Sequence, residues 1–337
     1  MTKNQRIAAF AQLGDFLRAN NQSLADLLAR IEVKNPWYTT ENVYLQLHAI
    51  AQNLTSKQLS NWTETLPDNS SDKTVALVLA GNIPLVGFHD ILSVLISGFK
   101  VQIKPSSDDA GLTTWILQQL VEIEPQFAAK IEIVERLGAH DLIIATGSNN
   151  SARYFEYYFG KKPHIIRKNR NSVAILDGSE TPEQIAQLGH DIFDYFGLGC
   201  RSVSKIYIPE NYDIAQFYEG IADFQSVSQH HKYGNNYDYN KSIFLINGDV
   251  HFDNGFLLLK EDKNWASPLA VVHFERYATL ADVANDLDAA QDQIQCVVTN
   301  AQISSNVPLF TFGESQCPAL DDYADGVDIL AFLEQHR

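Results

Sequence analysis

The chain is poor in sulfur and in positive charge. Its 337 residues hold three cysteines and one methionine. Cys200, Cys296 and Cys317 are odd in number and none falls in a C-x-x-C pair, which excludes a disulfide framework or a zinc knuckle as the organising device. No metal is therefore expected. Lysine and arginine number 25 against 41 aspartate and glutamate, a net charge of −16. A nucleic-acid partner requires a basic footprint for its phosphates, so that class is excluded. A phosphate-bearing cofactor is not, because a few local cations and helix N-termini suffice for one. No apolar run reaches the roughly 18 residues of a membrane span. The opening Met1-Thr2-Lys3-Asn4-Gln5-Arg6 also lacks the basic-then-apolar order of a signal peptide. The expectation is a reduced, cytoplasmic enzyme.

What is present supports large buried cores: 45% of residues are hydrophobic, with 18 phenylalanines. The length suits about two domains at roughly 150 residues each. Residues 5–62 read as helices, with Ile7, Phe10, Leu13 and Leu17 at helical spacing and again Leu24, Leu27, Leu28 and Ile31, Ser23 standing as an N-cap. From Thr74 strand and helix alternate. Strands are expected at 74–79, 99–103, 131–134 and 142–145, helices at 83–97, 113–124 and 151–159. Short apolar strands separated by helices imply a doubly wound parallel sheet whose ligands sit beyond the strand carboxyl ends. A second α/β unit follows, with strands at 172–176, 204–208, 242–246, 257–260, 269–274, 295–299 and 309–312. Helices are expected there at 181–196, 214–224 and 280–290. Thr181-Pro182-Glu183-Gln184 has the composition of a helix start. Residues 233–239, rich in Asn and Tyr, read as a surface loop.

Cys200 is the first candidate for chemistry. In Phe196-Gly197-Leu198-Gly199-Cys200-Arg201-Ser202-Val203 it occupies a glycine-flanked break between helix and strand, where a substrate can approach and backbone N–H groups can stabilise a thiolate. The competing reading is a small buried hydrophobe. Asn82, in Leu79-Ala80-Gly81-Asn82-Ile83-Pro84-Leu85, lies at a strand end with an amide to donate to an oxyanion; it equally reads as a helix cap. Lys104, in Lys104-Pro105-Ser106-Ser107, is a cation at a second strand end, suited to a ribose or phosphate but also to simple solvation. Thr146-Gly147-Ser148 leads into a helix whose free amides suit a pyrophosphate. The adjacent His230 and His231 have no carboxylate at ligand spacing, so a metal is not expected there.

These segments stand in the order and approximate spacing of the aldehyde dehydrogenase superfamily, which the chain resembles from about residue 74 to 275. More narrowly, it resembles the acyl-CoA reductases related to LuxC, a likeness shared by Asn35-Pro36-Trp37-Tyr38 and Glu41-Asn42-Val43. The resemblance implies an aldehyde-dehydrogenase-like α/β fold with four parts. These are a helical region (1–70) packing on the cofactor domain, a dinucleotide-binding domain (71–170), a catalytic domain carrying the nucleophile (171–313) and a C-terminal segment (314–337). It further implies that Cys200 is the nucleophile and that Asn82 donates to the oxyanion together with the Cys200 N–H. Lys104, Ser106 and Ser107 would lie at the adenosine ribose, Gly147 and Ser148 beside the pyrophosphate. Members mostly self-associate, which leaves a homo-oligomer open.

Departures from the family pattern then select a reaction. A glutamate is common where Ser107 stands; its absence removes a negative charge from beside a 2′-phosphate and tilts the cofactor towards NADPH, with NAD as the alternative. Hydrolytic members carry a general-base glutamate upstream of the cysteine, and here Ile165-Ile166-Arg167-Lys168-Asn169-Arg170-Asn171-Ser172 has no carboxylate. Without a base to activate water, thioester exchange with coenzyme A is favoured over hydrolysis. Asn264-Trp265-Ala266-Ser267-Pro268-Leu269 resembles the family's Glu-x-Phe-x-Pro segment but lacks the glutamate that holds the nicotinamide ribose. The expected activity is NADPH-dependent reduction of an acyl-CoA thioester to the aldehyde through an acyl-cysteine. The rivals are an oxidative aldehyde dehydrogenase and a non-catalytic subunit that binds an acyl group or a partner.

Overall fold

The alternation that begins at Thr74 builds an all-parallel sheet. The computed structural model describes residues 1–19 and 22–337. It divides into one unit of Met1–Asn169 with Ala319–Arg337 and another of Arg170–Pro318. The first unit holds β1 (Thr74–Val78), β2 (Lys100–Lys104), β3 (Ile131–Ile133), β4 (Leu142–Thr146) and β5 (His164–Arg167), in the order β3-β2-β1-β4-β5. Val75, Ala76 and Leu77 of the central β1 are all buried, as a strand covered on both faces requires. Strand order reverses between β1 and β4, and every carboxyl end lies on one edge. That edge is where such sheets bind ligands.

Helices cover this sheet: α1 (Lys3–Arg18), α2 (Gln22–Lys34), α3 (Thr40–Asn53), α4 (Ser56–Trp62), α5 (Phe88–Ile96), α6 (Leu112–Ile123) and α7 (Asn149–Phe159). Threonine hydroxyls start three of them: Thr2 caps α1 in a capping box with Gln5, Thr39 caps α3 and Thr55 caps α4, each satisfying an amide with no partner inside its helix. The side chains of Gln22, Ser23 and Asp26 lie outside the described residues, and with them the expected cap at Ser23. The periodic apolar positions Phe10, Leu13, Leu28 and Ile31 join the core.

In the second unit β6 (Asn171–Ile175), β7 (Val203–Pro209), β8 (Phe252–Asp253), β9 (Leu258–Glu261), β10 (Val271–Tyr277), β11 (Ile294–Thr299) and β12 (Leu309–Phe310) form a sheet in the order β12-β11-β6-β7-β10-β9-β8. Only the edge strand β8 runs antiparallel. Its helices are α8 (Pro182–Phe193), α9 (Ile214–Gly220), α10 (His231–Asn247) and α11 (Leu280–Ala289). Thr181 and Gln184 make the capping box their spacing predicts. On α8, the fully buried Asp191 accepts from the Gly313 and Ser315 amides and the Ser315 hydroxyl. Burial still pushes its carboxyl above the usual range. The chain then returns to the first unit, where α12 (Ile329–Gln335) buries Ile329, Leu330 and Leu333 in that unit's core.

The α/β class is as expected, and the departures are local. The helix expected over 83–97 starts at Phe88, and 82–87 are turns in which Leu85 has φ +49°; Pro84 therefore precedes the helix and Asn82 does not cap it. The helix expected over 181–196 ends at Phe193, and that over 214–224 ends at Gly220 and continues as a 3₁₀ segment. The loop expected at 233–239 and the strand at 242–246 are both α10, with Tyr233, Tyr237, Asn240 and Phe244 buried along one face. The polar composition of that face hides its period. Among the described residues no helix is long and apolar enough to cross a membrane.

Candidate active site

In the first unit the carboxyl edge gathers every residue expected to meet a nucleotide. Lys104 ends β2 and is half-buried, and Ser106 and Ser107 follow it. Thr146 ends β4, and Gly147 and Ser148 follow. Asn82 lies exposed in the turn after β1. The loops after β1 and β2 touch: a β-carbon on Gly81 would stand 2.6 Å from the side chain of Ser106, so only glycine allows the approach. Two of the expected hydroxyls serve as caps. Ser106 Oγ accepts from the Asp108 amide and Ser148 Oγ from the Ser151 amide.

Beyond β2 a cavity of about 500 Å³ is lined by Lys34, Pro105, Ser106, Ser107, Asp109, Ala110, Gly111 and Thr114, a size typical of small-molecule sites. Its one carboxylate is already occupied: Asp109 accepts from the Thr113 amide and hydroxyl. The lining that remains, two serine hydroxyls, a threonine and the Lys34 ammonium, fits a ribose bearing phosphate. Lys34 was not singled out from the sequence, because an exposed lysine at a helix end carries no signal of its own.

Under the same sheet, Arg167 of β5 points inward to Asp90 of α5 at 2.7 Å, and both are buried. The stretch that lacks a carboxylate therefore runs from β5 through the link to the start of β6, and its Arg167 is committed to an internal ion pair.

The second unit carries Cys200, on the amino side of β7. Residues 199–202 form a β-turn closed by the Ser202 N–H donating to the Gly199 carbonyl at 3.0 Å, and Cys200 is its first corner residue. Cys200 is exposed, as is Cys317, whereas Cys296 is buried. Side chains fix the turn from beneath. Ser172 Oγ donates to the Cys200 carbonyl at 2.9 Å. Ser202 Oγ accepts from the Gly199 amide and from Gln316 Nε2, each at 3.2 Å. The approach from α8 is strained: Tyr195 and Phe196 have φ of 54° and 59°, followed by Gly197 at 77°. Two bulky residues in the left-handed region persist only when their surroundings hold them. Here the Phe196 ring stacks on His230 at 4.2 Å.

The other two cysteines differ from Cys200. Burial pushes the Cys296 thiol up to about 11, and burial also raises Cys317. Neither is suited to being a thiolate near neutrality. His230 caps α10 by accepting from the Tyr233 amide, so its role is architectural. Among the described residues no cluster of His, Cys, Asp or Glu has the make-up of a metal site.

The segment from Asn264, where the family's glutamate is absent, is held by its backbone. Lys205 Nζ donates to the Lys263 carbonyl at 3.0 Å, His273 Nδ1 to the Asn264 carbonyl at 3.1 Å, and Ser204 Oγ to the Trp265 carbonyl at 2.7 Å. The buried Lys205 also pairs with Glu275 at 2.7 Å and lies 4.5 Å from the centre of the Trp265 ring. Three successive carbonyls are thus pinned by β7 and β10. A buried lysine in a strand has no distinctive sequence pattern, and this clamp was not foreseen.

The family model for acyl-CoA reductase (LuxC) matches residues 47–226, more than half of the chain. The chain belongs to the LuxC acyl-CoA reductase family. A curated relative, long-chain acyl-protein thioester reductase 2 of Photobacterium leiognathi, is 25% identical over 163 residues, covering 43% of this chain and 34% of that protein. The LuxC-type chain described here thus matches about a third of that relative's length. Among solved structures, aldehyde dehydrogenase 21 of Physcomitrella patens, in complex with the reaction product succinate, superposes with a TM-score of 0.71 at 12% identity. That match covers 100% of this chain and 84% of the other. An NAD-dependent benzaldehyde dehydrogenase from Corynebacterium glutamicum gives 0.67 at 14% identity, over 94% and 83%. The NAD+ complex of an aldehyde dehydrogenase from Bacillus cereus gives 0.63 at 11% identity, over 90% and 72%. At these identities the likeness establishes an aldehyde-dehydrogenase-like fold.

Proposed function

We propose that this LuxC-family chain reduces an acyl thioester to the aldehyde with NADPH, through a covalent acyl group on Cys200. The observation that carries the reading is the presentation of Cys200: an exposed cysteine at the corner of a β-turn whose backbone is fixed by Ser172 and Ser202. The Cys200 sulfur attacks the thioester carbonyl. A carbon–sulfur bond forms to Cys200, the bond to the departing thiol breaks, and that thiolate takes up a proton. Negative charge builds on the carbonyl oxygen as this occurs, and the family resemblance assigns its donors to the Asn82 amide and the Cys200 N–H, a contribution of ~3–4 kcal/mol in comparable sites.

When bound, the nucleotide supplies a hydride to the acyl carbon. Lys104, Ser106, Ser107 and Lys34 would hold its adenosine ribose and phosphate, Gly147 and Ser148 its pyrophosphate. The oxygen of the resulting thiohemiacetal is held by the same donors until the carbon–sulfur bond breaks, releasing the aldehyde and restoring the Cys200 thiolate. The relative named as an acyl-protein thioester reductase supports a thioester as the acyl donor, and coenzyme A is the donor implied by the family description. Asn169 and its neighbours provide no carboxylate to activate water, which disfavours the hydrolytic, oxidative direction. A further reading is favoured by Asn264: with the family's glutamate missing, the chain would serve as a subunit that binds an acyl group or a partner without turnover.

NADPH oxidation against a panel of acyl-CoA thioesters, together with labelled acyl-enzyme trapped before nucleotide is added, tests the proposal. Cys200→Ala is expected to abolish both signals while retaining nucleotide binding. Turnover retained in Cys200→Ala would overturn it, and wild-type protein that binds no nucleotide would favour the non-catalytic subunit.

A further inference from the structure

The Asn35-Pro36-Trp37-Tyr38 turn joins α2 to α3 and has no place in the chemistry so far, yet it reaches two strand ends at once. Tyr38 is 1% exposed. Its hydroxyl stands 3.0 Å from the Gly81 carbonyl and 3.0 Å from the Ile83 carbonyl, the two residues that flank Asn82. Asn35 Nδ2 donates to the Asp108 carbonyl at 2.9 Å, in the turn after β2. The Asn35 backbone carbonyl in turn accepts from the Tyr38 amide at 2.9 Å. With Gly81 lying against Ser106, the turns after β1 and β2 and the 35–38 turn form one joint.

The joint bears on Asn82 specifically. The Gly81 carbonyl belongs to the peptide unit that enters Asn82, and the Ile83 carbonyl to the unit one residue beyond it. No helix steadies this stretch, because α5 begins only at Phe88 and Leu85 is left-handed. One phenol proton shared between two carbonyls holds both peptide planes. That proton stays in place: burial, reinforced by Asp109 and Asp108, pushes the Tyr38 phenol above its usual range.

We infer that Tyr38 is a positioning residue that sets the aim of the Asn82 amide. The inference rests on the reading of Asn82 as the oxyanion donor. Tyr38 touches neither substrate nor nucleotide and works by restricting the backbone on both sides of Asn82. Such restriction matters because a donor displaced by about 1 Å can lose on the order of a hundredfold in rate.

A double-mutant cycle on the acylation step tests this. Single-turnover acylation of Cys200 is measured for wild type, Tyr38→Phe, Asn82→Ala and the double variant as a first-order rate constant at saturating acyl-CoA, so that a misfolded fraction lowers the amplitude and leaves the rate constant unaffected. Tyr38→Phe is expected to slow acylation on the order of tenfold, with the dissociation constant for NADPH unchanged. In the Asn82→Ala background the same substitution is expected to cost no further rate, because the group it aims is gone. Full additivity in the cycle, or a Tyr38→Phe enzyme as fast as wild type beside a slow Asn82→Ala, would overturn the inference and leave the functional reading intact. An Asn82→Ala enzyme as fast as wild type would overturn the role of Asn82, and the positioning role with it.

Discussion

Ser172 donates its hydroxyl to the carbonyl oxygen of Cys200 at 2.9 Å and lies 3.1 Å from the sulfur of Cys296. One small side chain at the start of β6 therefore ties the turn that presents the exposed thiol to the strand carrying the buried one. Ser172→Ala removes the tie without changing the core volume much. It is expected to lower the acylation rate on the order of tenfold, with little change in the thermal transition. Iodoacetamide trapping of Cys200 and single-turnover kinetics check this; an unchanged rate would show that the turn holds itself.

If the β2 cavity takes the 2′-phosphate as proposed, the charge of its lining sets the choice of nucleotide. Ser107 lines the cavity without charge, and Asp109, the one carboxylate lining it among the described residues, is engaged by Thr113. Ser107→Glu is expected to raise the KM for NADPH on the order of tenfold, about 1.4 kcal/mol of like-charge repulsion, and to leave the KM for NADH nearly unchanged. Steady-state kinetics with both nucleotides decide it, and an equal effect on the two would remove the 2′-phosphate from this position.

Breaking the Arg167–Asp90 pair should be costly. Both groups are buried at a separation of 2.7 Å, and removing one takes from the other its ion-pair partner in a site closed to water. Arg167→Met is expected to destabilise the first unit by about 3–5 kcal/mol, whereas the double replacement Asp90→Leu with Arg167→Met is expected to recover much of the loss. Denaturant unfolding of the two variants measures the difference. A single variant as stable as the wild type would show that the pair contributes nothing.

Stability should fall on the acid side through His273. Burial pulls its imidazole below the ordinary 6.5, outweighing the Asn264 carbonyl and the Asp262 charge, while Lys260 and Lys205 pull the same way as burial. The folded state then prefers neutral histidine and the unfolded state takes the proton first. The contribution is complete above about 6.5 and is lost as pH falls. His190 has the opposite sign, because its hydrogen bond to Asp194 raises it, and it partly offsets the loss. His273→Asn keeps a donor for the Asn264 carbonyl and removes the titration. Melting curves between pH 5 and 8 are expected to show a shallower acid decline in this variant; an identical slope would assign the decline elsewhere.

The β-strand ends and their polar residues were legible because their patterns are short-range: short, largely apolar runs stopped by Gly81, Lys104 and Thr146. What could not be read depends on partners far away in the chain. Nothing local marks Tyr38 as reaching Gly81 and Ile83, or Lys205 as a buried ammonium between Glu275 and Trp265. The helix α10 was hidden for another reason. Its buried face is built from Tyr233, Tyr237, Asn240 and Phe244, so polarity and burial disagree along it. The late start of α5 escaped because Ile83 and Leu85 continue its apolar pattern while Leu85 has the wrong hand for a helix.

The discontinuity of the first unit sets a timetable for biosynthesis. Residues 170–318 form a continuous segment that leaves the ribosome entire, whereas the wall made by Ile329, Leu330 and Leu333 emerges only after it. Until then the nascent core of the first unit exposes apolar surface that a chaperone would cover. A nonsense codon just after Pro318 would therefore damage the unit begun before residue 170 rather than the one translated immediately before the stop.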